Sequence, residues 1–256
     1  MSSTTHSLAR SVLIHADPDV VFRFFTDSNR WARWWGAGST IEPRPGGRVY
    51  IRHPEGTESA GEVVEVAPPH RFVFTYGFVS GAPIPPGGSR VTIRLEGEED
   101  GTRLHLEHEF PETALVARDE HVQGWRFQLS LFANIVSDEV NAEAAKVVDA
   151  WFGAWGEPDA AARESILTRI CSPSVRMQDR FSNLDGLQDL LPHIAATQRF
   201  MPGIRMQRKG DVRHCQGVVL ADWSAQSGDG EPRGSGTNVF VCDSSGRFES
   251  VTGFWG

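Results

Sequence analysis

The sequence predicts an α+β protein of two domains, and three observations carry that expectation. The chain has 256 residues, more than one hydrophobic core usually serves, so two units of roughly 130 residues each are the natural division. In the first half the apolar period passes from helical to strand-like and back to helical. In the second half helices come first and a run of strands closes the chain. The two orders differ, so the sequence describes two different α+β domains joined end to end, over residues 8–137 and 142–256.

Each element of the first half has a local reason. LARSVLIHA, residues 8–16, is apolar and β-branched enough for an opening strand. Asp17 and Pro18 supply a helix start, the aspartate as N-cap and the proline at the first helical position. Val20, Val21, Phe24 and Phe25 then fall on one helical face. Asp27-Ser28-Asn29 interrupts it, and Trp31, Trp34 and Trp35 in WARWWG share one face of a short second helix, with Arg30 and Arg33 left to solvent. From Gly46 to Phe110 the period becomes two. GGRVYIRH, GEVVEVAPP, RFVFTYGF, SRVTIRLEGEED and GTRLHLEHEF read as strands between Gly, Pro and acidic turns. Val122, Trp125, Leu129, Phe132 and Val136 mark one long amphipathic helix.

The polar stretch DEVNAE, residues 138–143, reads as the joint. Beyond it Val147, Trp151 and Trp155 lie one helical turn apart, and Gly156-Glu157-Pro158-Asp159 ends that helix. AAARESILTRI is a second helix, SVRMQDRF a strand and LDGLQDLLPHIAATQRF a third helix. GIRMQRKGDVRH, QGVVLADWSAQS, RGSGTNVFVCD and GRFESVTGFWG are the closing antiparallel strands.

Composition narrows the function. The net charge is -8 and divides evenly between the halves, so neither has the basic excess that phosphate binding requires, and nucleic acid is excluded as a partner. No apolar run approaches the roughly 20 residues that cross a bilayer, so no membrane partner is expected. The opening MSSTTHSLARS lacks a basic n-region and an apolar h-region, so no secretory signal is expected there. Cys171, Cys215 and Cys242 are odd in number and lack CxxC spacing, which suits reduced thiols in a cytoplasmic protein. Cys215 and Cys242 fall in strand patterns and are expected to be buried.

A few residues could carry chemistry. In strand 102–110, Leu104, Leu106, His108 and Phe110 share one face, which puts His108 inside as a hydrogen-bonded core residue or as a ligand or acid–base group. His105 points the other way, so the two cannot share an ion; no metal site and no cofactor are expected. In SVRMQDRF, Val175, Met177, Asp179 and Phe181 alternate with Arg176, Gln178 and Arg180. That alternation points Asp179 inward, where desolvation would suit it to act as a base near neutral pH. It reads as an ordinary pocket residue, a ligand-orienting group or a catalytic base. There is no GxSxG and no phosphate-binding loop, and RGSGTN lacks the helix a dinucleotide turn requires.

Two resemblances sharpen this. Residues 8–136, through ADPDVVFRFFTDSNRWARWWG, GEVVEVAPPHRFVFTY, GTRLHLEHEF and GWRFQLSLF, resemble the Hsp90-ATPase-activator-homologue (AHSA1-like) branch of the START/Bet v 1-like superfamily, a helix-grip fold. Residues 142–256, through VRMQDRFSNLDGLQDLL and GRFESVTGFWG, resemble the NTF2-like, SnoaL-like superfamily, a cone-shaped α+β barrel. Both resemblances imply a curved sheet wrapped on helices around an apolar cavity. They make Trp31, Trp34, Trp35, Phe74, Tyr76, His108 and Trp125 candidates to line the first cavity, and Trp151, Trp155, Met177 and Asn238 candidates for the second. WARWWG then reads as core or cavity wall, as a ligand contact, or as a docking patch. The implied function is binding of a small apolar molecule. The alternative is an enzyme of the polyketide-cyclase or isomerase type, because ketosteroid-isomerase-like members hold their catalytic aspartate where Asp179 stands. Those members also use a tyrosine on the first helix and a second acid in the late strands. Here Trp151 occupies the first position and Ser235, Thr237 and Asn238 the second; the tyrosines, Tyr50 and Tyr76, both lie in the other half. A co-chaperone role follows only from the name of the N-terminal family, and a homodimer through residues 203–255 follows from the habit of NTF2-like sheets to pair.

Overall fold

The computed structural model describes residues 6–256; residues 1–5, the beginning of MSSTTHSLARS, lie outside the described residues. The chain separates into two compact units, Met1–Val136 and Ser137–Gly256.

The first unit runs β1 (His6–Ile14), α1 (Pro18–Arg23), α2 (Ser28–Trp35), β2 (Thr40–Ile41), β3 (Arg48–Arg52), β4 (Glu58–Ala67), β5 (Arg71–Tyr76), β6 (Ser89–Glu98), β7 (Gly101–Phe110) and the long α3 (Leu115–Val140). Its strands form one antiparallel sheet in the order β1-β7-β6-β5-β4-β3-β2, so the opening strand returns beside the last. Pro18 opens α1 behind an extended Asp17, whose carbonyl accepts from Val20 and Val21 although its side chain makes no cap. Asp27 does cap α2, accepting the Arg30 backbone N–H at 2.8 Å. The apolar side of α2 is then driven onto the sheet. Trp31, Trp34 and Trp35 are all buried, while Arg33 is exposed and sits 5.6 Å from the Phe24 ring. Phe25 stacks on Phe72 at 5.7 Å and on Phe132 of α3 at 5.2 Å, which ties helix α3 to the sheet face.

The DEVNAE joint is shorter than the sequence suggests. Helix α3 continues through Asp138 and Glu139 to Val140. Asn141 closes its last turn, donating from both its backbone and its side-chain amide to the Ser137 carbonyl at 2.9 Å. Polar residues on the outer side of a helix do not end it; loss of the backbone ladder does.

The second unit runs α4 (Ala144–Gly156), α5 (Ala160–Ile170), β8 (Cys171–Gln178), β9 (Asn183–Asp185), α6 (Leu187–Phe200), β10 (Arg205–Cys215), β11 (Val218–Gln226), β12 (Pro232–Cys242) and β13 (Phe248–Trp255). The sheet order is β10-β11-β12-β13-β8-β9, antiparallel except that β8 pairs parallel with β13. Bulges interrupt the register in β10 and near the ends of β12 and β13, the local irregularity by which a strand bends. Along β11, Val219, Ala221, Trp223 and Ala225 turn inward. Trp151 of α4 meets them in the core, edge-on to Phe240 and Phe248 at 6.0 and 6.1 Å.

Two local expectations are corrected here. The strand around Met177 ends at Gln178, because Asp179 and Ser182 exchange backbone hydrogen bonds and the Asp179 carboxylate accepts the Phe181 N–H at 2.8 Å. This side-chain-stabilised turn ends the strand, and Phe181, although it lines the second unit's cavity, is 70% exposed there. Cys242 is buried as expected, but Cys215 is exposed at the end of β10, on the outer side of its strand.

Candidate functional site

Each unit has an open cavity between its sheet and its helices. The second unit's cavity holds about 430 Å3. Trp151 and Trp155 from α4, Met177 from β8, Asp179 from the turn and Asn238 from β12 all line it, so every candidate from that half comes together in one place. The sequence reading missed Trp223, Trp255, His193 and Arg233, which also line it.

The walls are largely apolar and the polar groups few. Asp179 is half-buried; one carboxylate oxygen accepts the Phe181 N–H and the other accepts the Trp255 indole N–H at 3.3 Å. Asn238 is 5% exposed, and its carboxamide makes no hydrogen bond among the described residues. The two converge across Gly253. A Cβ at that position would stand 3.1 Å from the Asp179 Cβ and 3.3 Å from the Asn238 Oδ1. The indole N–H groups of Trp155 and Trp223 are buried and have no hydrogen-bond partner among the described residues. His193 accompanies them, 3.1 Å from the Ser182 hydroxyl. An exposed Arg233 lines the open side.

RGSGTN, unremarkable as a phosphate loop, has a packing role instead. A Cβ on Gly234 would lie 2.8 Å from the Trp255 ring, and one on Gly236 3.0 Å from that of Trp223. The two glycines leave room for these indoles, which meet edge to face at 4.9 Å. The signal was in the sequence as Gly-x-Gly beside strands carrying tryptophan, but it needs the cross-strand register to be read.

The first unit's cavity holds about 580 Å3. Trp34, Trp35, Tyr76 and Trp125 line it, whereas Trp31, Phe74 and His108 lie in the packed interior behind. His108 has a complete hydrogen-bond set. Its Nδ1 accepts the Trp125 indole N–H at 3.0 Å, so the proton resides on Nε2 and is donated to Ser89 Oγ at 2.8 Å. Ser89 passes its own proton to the Tyr76 carbonyl at 2.8 Å. Burial, and then the neighbouring His121, hold the His108 imidazole well below the usual histidine range. A neutral, doubly bonded imidazole is a core polar residue, and a poor proton shuttle.

A second short chain links His53 Nε2 to Ser59 Oγ at 3.3 Å and Ser59 Oγ to the Tyr76 hydroxyl at 3.1 Å. Burial pushes the Tyr76 phenol up and the His53 imidazole down. Helix α3 and the β3–β4 turn complete the lining with His121, Phe127, Glu120 and Glu55. These were invisible to strand and helix periodicity, because they come from a turn and from a largely exposed flank of α3. Among the described residues no cluster of three or more His, Cys, Asp and Glu could hold a metal ion, and no helix is long and apolar enough to cross a membrane.

Residues 15–137 match the family described as activator of Hsp90 ATPase homolog 1-like protein. Among solved structures, the chain is similar to an AHSA1-like protein from Rhizobium etli, 29% identical over 52% of this chain and 82% of that one, with a TM-score of 0.42. It is similar to a candidate isomerase of the SnoaL-like family from Agrobacterium tumefaciens, 24% identical over 43% of this chain and 95% of that one, with a TM-score of 0.42. It is also similar to an Aha1 dimer from Colwellia psychrerythraea, 16% identical over 48% and 90% of the two chains, with a TM-score of 0.43. No curated protein matches the chain.

Proposed function

The N-terminal part of this chain resembles AHSA1-like proteins and the C-terminal part SnoaL-like proteins, and we propose that it binds small, largely apolar molecules in the two sheet–helix cavities. In the second unit the ligand's polar end is held at Asp179 and Asn238. One observation carries this reading: Asn238 is nine-tenths buried on a mostly apolar wall and its carboxamide makes no hydrogen bond among the described residues. An amide that faces an apolar cavity with no partner in the wall is free to bond a ligand's polar group.

Asn238→Leu tests it with two readouts that move in opposite directions. Removing the unpaired amide should leave the melting temperature unchanged or higher. Ligand retained by the purified chain, seen as mass lost on denaturation in native mass spectrometry, should fall about tenfold in affinity. A variant that keeps its ligand unchanged refutes the assignment.

A second reading is favoured by the position of Asp179 beside that amide. As a base it would take a proton from a carbon next to a carbonyl, while Asn238 donates to the oxygen that gains charge; return of the proton elsewhere on the carbon skeleton completes an isomerisation or prepares a ring closure. Asp179→Asn separates the readings. Turnover of an enolisable ligand should drop by about 10²- to 10⁴-fold if Asp179 is the base, and affinity alone should shift only a few-fold if it merely orients. We also propose that residues 203–255 pair the chain with a second copy of itself; the exposed Phe254 on β13 supports this.

A further inference from the structure

In the first unit a buried hydrogen-bond chain stops one acceptor short. Ser59 of β4 is fully buried and has a single proton to give, which goes to the Tyr76 phenol oxygen at 3.1 Å. His53 Nε2, 3.3 Å from the same Ser59 oxygen, is therefore the donor of that pair. Every proton then points the same way, from His53 through Ser59 to Tyr76. The last one, on the Tyr76 hydroxyl, has no acceptor among the described residues.

Tyr76 is 5% exposed and lines the cavity, so a partner for that proton has to come from the cavity itself. Burial, and then the charge of Glu55, push the phenol up against the pull of the Ser59 bond, so it stays protonated at neutral pH and remains a donor. Burial also keeps the His53 imidazole neutral and the direction of the chain intact. A hydroxyl that already accepts a hydrogen bond is polarised into a better donor. On the same wall the Trp35 indole N–H is buried with no partner among the described residues. The exposed lining residues Glu55 and Glu120 repel an anionic acceptor, and no Lys or Arg lines the cavity to offset them.

We infer that this cavity binds a neutral carbonyl compound, its oxygen accepting the Tyr76 hydroxyl proton and its apolar body filling the space that Trp34, Trp35 and Trp125 line. Ser59 and His53 are positioning residues: they engage the phenol oxygen from behind and leave its proton for the ligand. The inference rests on the reading that the cavity holds a small molecule and adds the group that molecule carries.

The test is calorimetric titration of the full chain with α-tetralone and with tetralin, the hydrocarbon that lacks its carbonyl, together with infrared spectra of the bound ketone. Both are run in Asn238→Leu, so that the second unit's amide contributes nothing. The bound ketone's carbonyl stretch should lie below its value in hexane. Adding Tyr76→Phe, which keeps the ring beside Phe78, should weaken tetralone about tenfold, return the stretch toward the hexane value and leave tetralin unaffected. Ser59→Ala, which retains the phenol, should move the stretch part of the way. Tetralone that binds Tyr76→Phe unchanged, shows no lowered stretch before that substitution, or does not bind at all overturns the inference. Tetralin binding that persists beside such a result leaves small-molecule binding intact, and that broader reading is judged by the ligand mass retained on the native chain.

Discussion

His108 shows how one residue's environment sets its role. Its Nδ1 accepts the Trp125 indole N–H, so protonating that nitrogen would break a buried hydrogen bond as well as charge a buried ring. Its folded pKa lies below the value of about 6.5 that it takes in an unfolded chain. The unfolded state therefore binds more protons below pH 6.5, and stability falls as pH falls through that value toward the folded pKa. His53, lowered by burial, acts in the same direction. Melting curves from pH 8 to pH 5 should show this loss, and His108→Gln should flatten the slope. The same variant should cost about 1–3 kcal/mol at pH 8, because the Trp125 N–H is left poorly satisfied. An unchanged slope would assign the acid sensitivity to another group.

At the scale of elements, α2 is the piece whose packing is easiest to test. Its eight residues could not hold a helix in isolation. Tertiary burial holds it, through indoles that meet the sheet at Phe72 and Phe74 and meet α3 at Phe132. Trp31 also donates its indole N–H to the Tyr50 carbonyl, at 3.3 Å. Trp31→Ala should cost about 3–5 kcal/mol in denaturant unfolding, and a loss below about 1 kcal/mol would mean that the core refills the space. WARWWG is thus mainly interior packing, with Trp34 and Trp35 reaching the cavity wall from the same face. That the three share one inward face was legible in their spacing. Which of them touches the cavity was not, since it depends on where α3 lies.

For the whole molecule, the two units carry cavities of different character, one with an aspartate and an unpaired amide, the other aromatic and acid-rimmed. Native mass spectrometry should therefore find as many as two ligands on one chain, and substitution at Asn238 should deplete only one of them. The same spectra test the pairing of residues 203–255. A dimer mass is expected, and loss of that dimer in Phe254→Ser would map it to the β13 face; a monomer at micromolar concentration would remove the proposal.

The sequence by itself determined the α+β class, the order of nearly all helices and strands, and the inward faces of α2 and β7, because periods of 3.6 and 2 are local consequences of backbone geometry. His108 on the leucine face of β7 and the buried side of α2 were readable for that reason. Two short strands, β2 and β9, were not, since strands of two and three residues are too brief to show a period and exist through their neighbours. The sites themselves were decided by tertiary structure. Asp179 could be named from alternation, but its bond from Trp255 and its approach to Asn238 across Gly253 depend on contacts between residues more than fifty positions apart. The ring of aromatic and acidic residues in the first unit is likewise gathered from α2, a turn, β5 and α3. No local pattern encodes such a juxtaposition; it exists only once the sheet has curved around its helices.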